Sequence, residues 1–157
     1  MKFRTESVEK IEKILVAELA QQIGREEIRA EELEQGLRNG LQEVGRKSYG
    51  KMLSMLDQHH HGILSDCECG QEGKRVSQRE AQVLSVFGGS NYRRSYYQCE
   101  CGTRWFAVDQ EHNLRAGQAT NGMSRLLGLA GVTVSFEEAS RQIQEYLQVD
   151  VCANTIR

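Results

Sequence analysis

The chain has 157 residues, 39% of them hydrophobic and 15 of them glycine, which fits one ordinary domain or a small module plus a helical one and excludes a disordered chain. Its formal net charge of −2 excludes a globally basic nucleic-acid binder but leaves room for a local basic face. No stretch nears the eighteen or so apolar residues of a membrane helix, and Met1-Lys2-Phe3-Arg4 opens no apolar signal segment, so a cytoplasmic protein with no membrane partner is expected.

From Thr5 to about Ile23, Val8, Ile11, Leu15 and Leu19 recur three or four residues apart. This predicts an amphipathic helix begun by Thr5 or Ser7 and stopped by Gly24. A second helical stretch runs from Arg25 to about Gln58, interrupted by Gly36, Gly40, Gly45 and Gly50. Each glycine costs roughly 1 kcal/mol relative to alanine, so either a partner helix approaches closely at Gly36 and Gly40, or the helix hinges near Gly45 or Gly50. The expectation is an antiparallel helical hairpin over residues 1–62, serving as an oligomerisation arm if its apolar face is completed by a partner. His59, His60 and His61 follow and are read as a polar connector.

Next comes a repeated tetrapeptide, Cys67-Glu68-Cys69-Gly70 and Cys99-Glu100-Cys101-Gly102. The pattern C-x-C-G-x28-C-x-C-G predicts two knuckles converging on one tetrahedral, structural zinc ion with Cys67, Cys69, Cys99 and Cys101 as ligands. Glycine after each second cysteine supplies the tight turn that aims both sulfurs at one metal. A disulfide framework would need an oxidising compartment, a redox dithiol does not need two symmetric pairs, and Glu between each pair argues against buried, unligated cysteines. Four thiolates also leave no open position for substrate.

Between the knuckles, Gln82–Phe87 reads as a strand, Gly88-Gly89-Ser90-Asn91 as a turn, and Tyr92–Gln98 as a second strand. A third short strand is expected from Thr103 to Val108, so residues 63–110 read as a zinc-ribbon-like antiparallel β module. A unit this small buries little, and structural zinc binding of about 10–16 kcal/mol exceeds the usual stability of a small domain. Tyr92, Arg94 and Tyr96 alternate with Arg93, Ser95 and Tyr97 on the second strand. Two readings stand: Arg93, Arg94, Tyr96 and Arg104 form a DNA-binding surface of charges and stacking rings, or the arginines balance the thiolates while one tyrosine face packs inward.

Residues 111–157 form a helical segment. Polar loops lead to a short helix from Met123 to Leu129, and Ser135-Phe136-Glu137-Glu138 is a capping box for a helix carrying Ala139, Ile143 and Leu147. After a turn at Val149-Asp150-Val151, Cys152–Ile156 looks like the first turn of another helix, giving an incomplete helix-turn-helix. The fold class expected is α+β.

Taken together, the first knuckle, Val86-Phe87-Gly88, Arg94, Tyr96-Tyr97-Gln98-Cys99, the second knuckle, Val108-Asp109, Ser135-Phe136-Glu137-Glu138-Ala139 and Val151-Cys152-Ala153-Asn154-Thr155-Ile156 resemble the N-terminal region of ISKra-type insertion-sequence transposases. The resemblance implies a DNA-binding and dimerising region ahead of an RNase H-like domain with Asp-Asp-Glu chemistry. It implies insertion-sequence ends as the DNA partner, and a second copy or a full-length transposase as the protein partner. The family is a DNA transposase, but its catalytic domain has no counterpart here, so no catalytic residue is assigned, Asp109 included. The expectation is a truncated or standalone transposase N-terminal region without its own strand-transfer activity. The alternative is a zinc-ribbon interaction module or an inhibitory partner of a full-length transposase.

Overall fold

A computed structural model describes residues 4–23, 28–60 and 63–156. Its elements are α1 (Thr5–Ile23), α2 (Ala30–His60), β1 (Leu64–Asp66), β2 (Glu72–Ser85), β3 (Gly88–Gln98), β4 (Arg104–Phe106), α3 (Ala107–Glu111), α4 (Asn121–Thr133), α5 (Phe136–Leu147) and α6 (Ala153–Ile156). The described residues thus form a mixed α+β fold of six helices and one antiparallel four-stranded sheet in the order β1-β2-β3-β4. None of the helices is long and apolar enough to cross a membrane. Gly24, the start of the predicted second helix at Arg25, and His61 lie outside the described residues.

The chain divides into two compact units, Met1–Val44 and Gly45–Arg157. Within the first, the Leu19 side chain lies 3.6 Å and the Leu15 side chain 3.9 Å from where a Cβ would stand on Gly36 and Gly40. Descending α1 while ascending α2, these contacts make the pair antiparallel, and the two glycines are where the helices approach. Val8, Ile14 and Val16 of α1 are each more than half exposed.

In the second unit, β2 and β3 pair from Lys74↔Gln98 to Ser85↔Gly88, with a bulge between Arg75 and Ser77. The hairpin is longer than its apolar alternation suggests, and it turns earlier. Gly89, Ser90 and Asn91 pair with Leu84, Val83 and Gln82, so the reversal falls on Val86-Phe87. Neither residue has positive φ; Gly88 takes that step at φ +90°, as a turn followed by a left-handed glycine requires. Ser85 Oγ accepts the Phe87 amide at 3.1 Å and meets the buried Ser90 hydroxyl at 3.0 Å, which satisfies both polar groups.

β4 pairs only with Tyr96–Gln98, leaving the outer edge of β3 open before that point. The second half of α2 covers it. Ser54 Oγ accepts the Arg93 amide at 2.9 Å, and the buried Asp57 carboxylate accepts the Ser95 amide at 2.9 Å and the Ser95 hydroxyl at 2.7 Å. One turn earlier, Gly50 lies so near the strand that a Cβ there would sit 2.0 Å from the Asn91 carbonyl oxygen. Gly50, Ser54 and Asp57 therefore follow Asn91, Arg93 and Ser95, closing an edge that would otherwise pair with other chains. The strand predicted over Thr103–Val108 stops at Phe106, and Ala107–Glu111 turns into α3, while Asp57 takes the Ser95 amide next along the edge. α2 is helical through Gly45 and Gly50, and at Gly45 the Phe87 ring fills the place of a side chain.

Residues 117–120 run along the other edge, where Leu84 donates its amide to Gln118 and accepts that of Thr120. Thr120 then caps α4 by accepting the Met123 amide. Ser135 caps α5 through the Glu138 amide at 3.2 Å, while the Glu138 carboxylate pairs with Arg141 rather than reaching back. Met123, Leu127, Ala139, Ile143, Val149 and Ile156 form the core of α4, α5 and α6. Leu53, Val83, Tyr92, Val108 and Leu114 form a second core beneath the hairpin.

Asp57→Ala strands the Ser95 amide and hydroxyl in a buried place and is expected to cost about 2–6 kcal/mol in urea unfolding, at 1–3 kcal/mol per unsatisfied group. Asp57→Asn retains an acceptor for the amide and should cost less. Gly50→Ala, which presses on backbone, should cost about 1–3 kcal/mol.

Candidate metal centre

The two knuckles fold alike because their sequences repeat. In each, the glycine amide bonds back to the first cysteine's carbonyl, Gly70 to Cys67 at 2.9 Å and Gly102 to Cys99 at 3.0 Å. The first cysteine's amide bonds forward to the residue after glycine, Cys67 to Gln71 at 2.8 Å and Cys99 to Thr103 at 3.0 Å. Gly70 and Gly102 have φ of +83° and +92°, a conformation that a side chain would strain. β1 and β2 flank the first knuckle, and β3 and β4 the second, so the antiparallel sheet brings both to one end.

There the four sulfurs lie within 4.8 Å of one another. Two pairs cross between knuckles, Cys67 with Cys101 at 3.7 Å and Cys69 with Cys99 at 3.6 Å. Sulfurs each about 2.3 Å from one tetrahedral ion sit about 3.8 Å apart, whereas a disulfide closes to about 2.05 Å. All five cysteines are free thiols. The donor set and its spacing fit a tetrahedral metal ion. Among the described residues, it is the one group of three or more His, Cys, Asp or Glu side chains able to hold an ion.

One side of the centre is closed and the other open. Cys67 and Cys99 are buried with Tyr97, Trp105 and Ala107, and Tyr97 stacks on Trp105 with ring centroids 5.7 Å apart. The Trp105 ring lies over Gly73, where a Cβ would come within 2.1 Å of it. Cys69 and Cys101 face solvent. Gln71 and Thr103 complete the surroundings: the Gln71 side-chain oxygen is 3.9 Å from Cys69 Sγ and 3.8 Å from Cys99 Sγ, and the Thr103 hydroxyl is 3.2 Å from Cys101 Sγ. The sequence reading assigned neither residue, although both stand directly after glycine in the repeat.

Without a cation, thiols this close divide their protons unequally. The Thr103 hydroxyl, then the Thr103 amide and the Cys99 and Cys69 thiols, lower Cys101 to about 6. The Gln71 amide lowers Cys69, but hydrogen bonds with Cys67 and Cys101 outweigh it and push that thiol up to about 12. Metal uptake at neutral pH must therefore displace protons. Away from the centre, Cys152 is exposed and its thiol is lowered by hydrogen bonding to the Thr155 side chain.

The four residues expected to meet DNA are placed differently from one another. Arg93 and Arg104 are exposed, and Arg93 pairs with Glu80 at 3.3 Å. Tyr96 is half-buried, 5.1 Å from the Phe106 ring and under the Arg79 guanidinium at 4.1 Å. Arg94 is turned inward with 13% of its side chain accessible; it forms an ion pair with Asp109 and lies 3.6 Å above the Phe106 ring. Tyr92 donates its hydroxyl to the same carboxylate at 2.6 Å. Burial lowers the Arg94 pKa. The counter-charge of Arg94 is thus Asp109, which α3 delivers, rather than the thiolates. Compared with known proteins, the chain matches no family model and no curated protein.

Thiol titration at neutral pH tests the centre without naming the ion. In the metal-loaded protein, Cys152 should react promptly with an aromatic disulfide reagent and the tetrad slowly. After a strong chelator, four further thiols should react, since no ion then shields them. Prompt reaction of all five in protein as purified would count against a bound ion.

Proposed function

We propose that this chain is a zinc-stabilised DNA-binding region of the kind that precedes the catalytic domain of ISKra-type transposases, contacting insertion-sequence ends and contributing no strand transfer of its own. The observation that carries this reading is the sulfur tetrad at one end of a sheet that also bears Arg93 and Arg104. Four thiolates in a tetrahedral arrangement suit zinc, which brings no redox chemistry, and a closed set of protein ligands marks a structural site. A reducing cytoplasm keeps such thiols available. The sheet is read as a zinc-ribbon-like module, and α5 and α6 as the start of a helix-turn-helix. The DNA contacts are assigned to the sheet, which carries exposed Arg93 and Arg104. Arg93 and Arg104 serve phosphates, Tyr96 with Arg79 offers a stacked edge, and Arg94 fixes the strand that carries them.

A second reading, a zinc-dependent interaction module that pairs with another copy or with a full-length transposase, is favoured by one observation. Val8, Ile14 and Val16 leave apolar surface on α1.

Metal analysis of the purified protein should give about one zinc per chain. Cys69→Ser or Cys101→Ser should abolish it and unfold the sheet; a folded, zinc-free wild type would falsify the assignment. In gel shifts with insertion-sequence terminal repeats, Arg104→Ala should weaken binding and flatten the salt dependence by about one phosphate contact. Arg94→Ala should instead lower stability, by about 3 kcal/mol for a part-buried pair that loses one partner, with zinc content unchanged. Dimerisation with no DNA shift at any salt concentration would favour the second reading.

A further inference from the structure

Beside the edge that α2 closes lies a groove of about 730 Å³, walled by α2 and by the outer face of the β2–β3 hairpin. Its charged lining consists of Arg46, Lys47 and Lys51 from α2 and Arg93 and Glu80 from the hairpin. Four cations and one carboxylate thus line one concavity of a chain whose net charge is −2. We infer that this groove seats the sugar–phosphate backbone of a nucleic acid, with Arg46, Lys47, Lys51 and Arg93 as its phosphate contacts.

The groove exists because the helix sits very close to the strand. Gly50 lets the α2 backbone reach the Asn91 carbonyl, and Ser54 and Asp57 bind the next two edge positions, so side chains rise on both sides of a narrow, fixed floor. Lys47 and Lys51 stand about one turn apart, a rise of about 6 Å along the wall, and both are exposed. Arg46 is anchored by its bond to the Gly89 carbonyl at 3.3 Å, and Arg93 by Glu80 at 3.3 Å. These cations are therefore held before any ligand arrives, which reduces the entropy lost on binding.

The chemistry favours nucleic acid over other anionic partners. A concave file of cations suits a rod carrying one charge per nucleotide, whereas a flat anionic membrane meets a convex or planar basic face. The groove has no exposed aromatic anchor, since Tyr92 is buried at 2%, and Met55 is the exposed apolar side chain on its wall. Ser54, Gln58 and Asn91 supply uncharged polar groups along the floor.

This inference rests on the DNA-binding reading and extends it from the strands to α2, none of whose residues was expected to contact DNA. The test uses the full, zinc-loaded chain and fluorescence anisotropy with a labelled 20-base-pair random duplex and the matching single strand, across 50–200 mM salt. Lys47→Glu with Lys51→Glu should weaken binding at least tenfold at the lowest salt and lower the salt slope by about 2, at about 0.9 per phosphate on duplex. Zinc content and circular dichroism should stay unchanged. Lys47→Gln with Lys51→Gln should give an intermediate loss, and this pair decides the matter if the charge reversal does not fold. If both pairs bind like wild type while Arg104→Glu loses affinity, the groove is wrong and DNA binding by the strands stands. If wild type binds neither nucleic acid, or binds only anionic vesicles or polyglutamate, both readings fall.

Discussion

Four sulfurs within 4.8 Å of one another are the constraint on which the sheet depends. Ionised thiolates at that spacing repel, and protonated thiols gain little from one another, so a cation makes the arrangement favourable. The same crowding splits the protons unevenly: Thr103 lowers Cys101, while the neighbouring Cys67 and Cys101 thiols raise Cys69 against the pull of the Gln71 amide. Because each knuckle joins two strands, fixing the sulfurs sets both β1 against β2 and β3 against β4. The aromatic cover of Tyr97 and Trp105 then closes the inner side.

At the opposite end of the hairpin a different device operates. The long β2–β3 ladder carries an outer edge that β4 covers only over three residues. Ser54 and Asp57 take up the next amides, and Gly50 allows the approach. The cost of burying a carboxylate is met by two hydrogen bonds from Ser95. A helix that closes an edge also creates a wall, and the cationic groove is the by-product of that closure. Edge closure and the proposed groove thus share the same helix–strand contact.

Arg94 shows how a functional pattern and a structural one can coincide. Alternation of arginine with tyrosine along a strand looks the same whether the charges face phosphate or a buried carboxylate. Asp109 decides between them, and it reaches Arg94 because β4 ends at Phe106 and α3 turns back.

The sequence by itself determined the elements whose signals are local. The repeated Cys-Glu-Cys-Gly set both knuckles and the four sulfurs they bring together, the period of α1 and α5 set those helices, and Ser135 set where α5 begins. Only the tertiary structure decided where the hairpin turns, since Gly88-Gly89-Ser90-Asn91 resembles a turn until Leu84, Val83 and Gln82 are available to pair with its last three residues. It likewise decided what the glycines of α2 are for: a glycine reads as a break along the chain, and becomes a contact only when Leu15, Leu19, Phe87 or Asn91 arrives beside it. Local patterns fix backbone conformation because their energies depend on neighbours in sequence. Edges, grooves and ion-pair partners depend on atoms that folding brings together from far along the chain.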